Sequence, residues 1–63
     1  MKKILNIVNM ETQADVEKID ERLQETRLKY EINLENKAVI VHGGSDERRV
    51  ALLAIEEVGF EIL

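Results

Sequence analysis

Apolar and polar positions change their period repeatedly along this chain, and each change marks an expected element. Lys3 to Met10 holds Ile4, Leu5, Ile7 and Val8 in a short run punctuated by Asn6 and Asn9, which predicts a strand at the middle of a sheet. Leu5 and Ile7 share one of its faces, and Ile4, Asn6 and Val8 share the other. From Val16 the spacing becomes helical. Val16, Ile19 and Leu23 form a stripe, while Glu17, Lys18, Asp20, Glu21, Arg22 and Glu25 occupy the remaining faces. Thr12 with Asp15 three residues on has the pattern of a capping box, so this helix is expected to begin just after Thr12 and end near Glu25.

Leu28, Tyr30, Ile32 and Leu34 then alternate with Lys29, Glu31 and Asn33, the period of a strand with one buried face. Glu35-Asn36-Lys37 supplies a turn, and Ala38-Val39-Ile40-Val41-His42 returns as the second arm of a hairpin. Gly43-Gly44 ends that strand, and Ser45 is expected to cap a second helix whose first turn carries Asp46 and Glu47. Ala51, Ala54, Ile55 and Val58 line its inner face, with Leu52 beside them. Gly59 stands at the position of a left-handed helix cap, and Phe60-Glu61-Ile62-Leu63 alternates as a last short strand. The order predicts an α+β, ferredoxin-like βαββαβ fold: a four-stranded antiparallel sheet with both helices on one face.

At 63 residues, the chain reads as one domain over residues 1–63, of a size that buries only roughly 60% of its unfolded surface. The absence of cysteine removes disulfides and thiolate metal sites and leaves stability to packing. A net charge of −4, with Tyr30 and Phe60 as the only aromatics, argues against nucleic acid as a partner. No apolar run approaches the roughly 20 residues of a membrane span. Met1-Lys2-Lys3 leads into a short mixed segment rather than a signal peptide, so no membrane association and a cytoplasmic location are expected.

Three stretches carry a family resemblance: Met10-Glu11-Thr12-Gln13-Ala14-Asp15-Val16, Asn33-Leu34-Glu35-Asn36-Lys37 and Ala54-Ile55-Glu56-Glu57-Val58-Gly59-Phe60. Together they resemble the heavy-metal-associated domain of copper chaperones and copper-transporting ATPases, in order and spacing, over nearly the whole chain. That family's first loop reads Met-x-Cys-x-x-Cys; here the two cysteine positions hold Thr12 and Asp15. Copper(I) prefers thiolate and thioether sulfur, so the resemblance implies a metal-carrier fold that does not bind copper(I). Thr26 or Arg27 stands where the family usually has a glycine before its second strand, and Ala51 where leucine is common.

Each candidate site has two readings. Met10 is a thioether ligand or, as in the family it resembles, an inward-packed support of the loop. Glu11, Thr12 and Asp15 offer oxygen to a hard cation, or Thr12 and Asp15 are a helix cap and a first-turn acid. His42 falls at the pole away from the loop and is expected to be a solvated strand-end residue. Gly43-Gly44-Ser45 lacks the lysine and glycine spacing of a phosphate loop and reads as a turn. With no nucleophile motif, no enzyme activity and no cofactor are expected.

Two surfaces remain. Ile4, Val8, Ala38 and Ile40 fall on the side of the sheet away from the helices, either as a partner-contact or self-association patch or as scattered surface aliphatics. The pole of the first loop carries Glu11, Asp15, Glu35 and Glu57 against Lys37, which favours a basic partner. The leading expectation is a non-catalytic protein-interaction or regulatory module related to metal trafficking. The alternatives are a weak oxygen-ligand metal site in the first loop and, by fold analogy, a small-molecule-sensing dimer.

Overall fold

The computed structural model describes residues 1–63, beginning with β1 (Lys2–Asn6), whose Leu5 is buried and whose Ile4 is 61% exposed. Helix α1 (Gln13–Gln24) keeps its expected bounds and buries Ile19 and Leu23. After it the chain reverses through Arg27 at φ 62°, a left-handed conformation that favours glycine and that this chain adopts with an arginine. Strands β2 (Lys29–Asn33) and β3 (Ala38–His42) form the expected hairpin. Its turn is held by the Asn36 N–H donating to Asn33 Oδ1 at 3.0 Å, with Lys37 also left-handed at φ 51°.

Helix α2 (Ser45–Glu57) corrects one expectation: its cap is Gly44, and Ser45 is already helical. The Glu47 carboxylate folds back to accept the Gly44 N–H at 2.7 Å, so the chain's own acid occupies the anion-attracting end of the helix. Its path explains Gly43 as well, since a Cβ there would stand 2.5 Å from Glu47 Cγ and φ is +142°. Gly59, at φ +92°, ends the helix as expected.

The sheet has three strands in the order β1-β3-β2, all antiparallel, where four were expected. Residues 61–63 do lie beside Asn6 to Val8, at and just past the end of β1, but only Ile7 and Ile62 form a bridge, between the Val8 N–H to Glu61 O bond and the Leu63 N–H to Asn6 O bond, each 2.8 Å. The next step of the ladder is made by a side chain. Asn9 Oδ1 accepts the Glu61 N–H at 2.8 Å and Asn9 Nδ2 donates to Gly59 O at 3.2 Å, so its carboxamide stands in for a main-chain peptide. The first strand stops at Asn6 rather than running to Met10, because its partner β3 begins at Ala38, directly opposite Asn6.

Both helices cover one face of the sheet over a cluster of eleven buried residues that includes Leu5, Ile7, Met10, Ile19, Val39 and Ile55. Tyr30 fastens β2 to α1 by donating its hydroxyl to the Asp20 carboxylate, itself held by Gln24. Burial first, and the Asp20 carboxylate second, push the Tyr30 hydroxyl up to about 12.

Candidate functional site

The first loop is positioned from three sides. Met10 anchors it from below with no exposed surface, which places this sulfur in the core and not among outward-facing groups. The Ile7 N–H donates to Lys37 O at 2.8 Å, and Lys37 Nζ lies 3.9 Å from Glu11 Oε1, which ties the hairpin turn to the loop. Asn9 ties it to Gly59 and Glu61. Nothing in the local pattern around Asn9 signals this role, because its partners lie 50 and 52 residues further along the chain.

Thr12 and Asp15 face each other across the start of α1. The Asp15 N–H donates to Thr12 Oγ1 at 3.2 Å, while Asp15 Oδ2 accepts the Thr12 N–H at 3.0 Å and the Glu11 N–H at 2.9 Å. This is a complete capping box with a further bond. The N–H groups of Glu11 and, next, of Thr12 hold the Asp15 carboxyl below the usual carboxylate range. At the two positions where the resembling family places sulfur, the side chains are therefore turned back onto the loop's own backbone.

Because that carboxyl is depressed in the folded chain, its stabilising effect is complete above its ordinary value of 3.8 and is lost as pH falls through the lower folded value. Wild type is thus expected to lose stability more steeply below about pH 4 than Asp15→Asn, whose amide accepts the same bonds without titrating. Urea midpoints across that range check this, and parallel curves for the two proteins would count against the bonds to Glu11 and Thr12.

The remaining acids of this pole are partly answered. Arg22 donates to Glu57 Oε2 through Nη2 at 2.7 Å and Nε at 3.0 Å, so Glu57 belongs to a contact between the helices, while Glu35 is exposed. Arg22, Lys18, Glu21, Glu25 and Val58 line a shallow groove of about 400 Å³ between α1 and the end of α2, with only one apolar residue. Nowhere do three or more His, Asp or Glu side chains gather as they would around a metal ion.

His42 lies at the opposite end of the sheet from the loop, opposite Lys2 in β1 and Lys29 in β2, with Nε2 3.1 Å from Glu31 Oε2. On the bare face Ile4 and Ile40 are cross-strand neighbours, and Val8 is exposed beside Glu61. Ala38 departs from its expected surface role. It sits between Asn6 and Asn33 on the central strand and is only 7% exposed, because a methyl group there is overshadowed by longer neighbours.

Taken together, the fold is the ferredoxin-like one of heavy-metal-associated domains, with two helices on one face of an antiparallel sheet. The solved structures it superimposes on include the CopZ metallochaperone, at a TM-score of 0.83 and 22% identity over all of both chains. A heavy metal binding protein from Thermotoga maritima follows at 0.81 and 25%, covering 98% of this chain and 91% of that one. A copper chaperone from Synechocystis reaches 0.73 and 20%, covering 97% and 98%. No protein-family model matches the sequence, and no curated protein aligns with it significantly. The structural neighbours are thus copper chaperones and heavy-metal-binding proteins, whereas this chain has no cysteine. No helix is long and apolar enough to cross a membrane.

Proposed function

We propose that this chain is a metallochaperone-like domain that has exchanged copper(I) carriage for a protein-interaction or regulatory role related to metal trafficking. The observation that carries the reading is the capping box: Thr12 and Asp15 hold the loop in shape with the atoms that stand where the resembling family has its ligands. What is kept is the scaffold, and what is exchanged is the chemistry of two positions. A hard-cation site in the same loop is disfavoured by the same bonds, since Asp15 Oδ2 already accepts two N–H groups and Glu11 faces Lys37. Met10 is disfavoured as a ligand by its burial.

The test is a titration with copper(I) under reducing conditions, followed by amide NMR shifts. The reading expects no saturable change at residues 10–15, and tight binding localised there would overturn it. A parallel titration with a divalent cation separates the oxygen-ligand alternative, which requires shifts that Asp15→Ala abolishes.

A further inference from the structure

The outer side of β2 is open along its whole length, because β3 is central and no strand lies beyond β2. At the other edge of the sheet residues 61–63 cover only Asn6 to Val8, so Lys2 to Leu5 of β1 are also left without a strand on their outer side. The Ile7 N–H to Lys37 O and Gly43 N–H to Met1 O bonds show that the odd-numbered residues in line with β3 bond toward β1. Antiparallel alternation then turns Ala38, Ile40 and His42 toward β2, where they meet Asn33, Glu31 and Lys29. Tyr30 and Ile32 are left directing N–H and C=O outward, and no turn, loop or cap bond reaches those groups.

The side chains of this strand are also incompletely covered. Leu5, Val39 and Val41 of the other two strands are fully buried, whereas Leu28, Tyr30, Ile32 and Leu34 pack against the core while remaining partly exposed. Both deficits, main-chain and apolar, lie along the same edge, and a further strand would make good both.

We propose that β2 pairs antiparallel with β2 of a second copy of this chain, about a two-fold axis at Tyr30. The charges select this occupant and this register. With Tyr30 opposite Tyr30, Lys29 of each copy stands opposite Glu31 of the other, and Leu28 opposite Ile32 on the helix side. The outward main-chain groups then fall at bonding positions. A register centred on Glu31 would set the two Glu31 carboxylates against each other. Lysine on an edge strand ordinarily discourages pairing. Here its alternation with glutamate makes the edge self-complementary, as an isologous contact requires. The proposal deepens the reading of an interaction module by naming its partner, and it stands on the sheet edge independently of what the first loop binds.

Sedimentation velocity over rising protein concentration, combined with amide hydrogen exchange, tests it. The expected result is concentration-dependent association, with exchange at the Tyr30 and Ile32 amides slowing as dimer forms. Glu31→Lys and Lys29→Glu, both at exposed positions, each set like charges opposite one another and are expected to weaken association about tenfold or more. The double exchange Lys29→Glu with Glu31→Lys restores it. A wild type that stays monomeric into the millimolar range overturns the proposal. So does association that neither single variant weakens, including one that Ile40→Lys abolishes, which would place the contact on the bare sheet face. The copper(I) titration is unaffected by either outcome, so the two readings fail separately.

Discussion

Met10→Ala is expected to lower stability by about 2–5 kcal/mol, the usual range for truncating a fully buried methionine. For a 63-residue chain whose total stability is of order 3–9 kcal/mol at typical values per residue, that change removes a large share of it. The physical reason is position. Although Met10 precedes the loop, it has no exposed surface and belongs to the cluster formed by Leu5, Ile19, Ile55 and Phe60. Met10→Leu keeps the volume and is expected to cost less than about 1.5 kcal/mol. Urea unfolding of the two variants checks the contrast. A metal-ligand role predicts the reverse pattern: little stability change in either variant, with loss of any metal response in both. Equal, small losses of stability would therefore move Met10 out of the core and reopen the thioether reading.

Thr12→Cys combined with Asp15→Cys is expected to convert a chain with no saturable copper(I) site into one that takes up about one equivalent. Two thiolates would then stand where the resembling family has them. The start of α1 favours their ionised form, because a helix N-terminus stabilises negative charge. The same substitutions remove the capping box, and loss of the threonine cap alone is expected to cost about 1 kcal/mol. Metal should recover that stability by binding the folded form alone. The measurement is thermal unfolding with and without copper(I) under reducing conditions. A double variant that folds but shows no copper-dependent rise in melting temperature would mean that the loop's path, and not only its side chains, has diverged from the metallochaperone scaffold. A single substitution at either position is expected to give much weaker binding, since one thiolate supplies only half of the pair.

Most of the elements were legible because each rests on a local pattern. The stripe Val16, Ile19, Leu23 and the pair Thr12 and Asp15 specify a helix and its start without reference to the rest of the chain, and α1 has those bounds. The alternation through Leu28, Tyr30, Ile32 and Leu34 likewise specifies a one-sided strand. Where local pattern misled, a distant partner had intervened. Phe60 to Leu63 alternates like a strand, yet beyond the Ile7–Ile62 bridge its Glu61 N–H is taken by the Asn9 carboxamide. Ser45 looked like a cap, but the Glu47 side chain bonds to Gly44 and shifts the cap back by one residue.

The candidate site divides in the same way. Thr12 and Asp15 fall at the ligand positions that the family resemblance implies, and their residue types already argued against soft-metal chemistry. The burial of Ala38 could not be read from alternation, because it depends on Asn6 and Asn33 across two strand pairings.

By itself, then, the sequence determined the order of the first five elements, the buried stripe of each helix and the absence of thiols, because periodicity and residue chemistry act over a few neighbouring residues. Only the tertiary structure decided how the loop is latched, by Asn9 to Gly59 and Glu61 and by Lys37 to Glu11, and that β2 is left unpaired along its whole outer side. Those features depend on contacts between residues far apart along the chain, whose meeting is set by how the helices and strands pack and not by any local pattern.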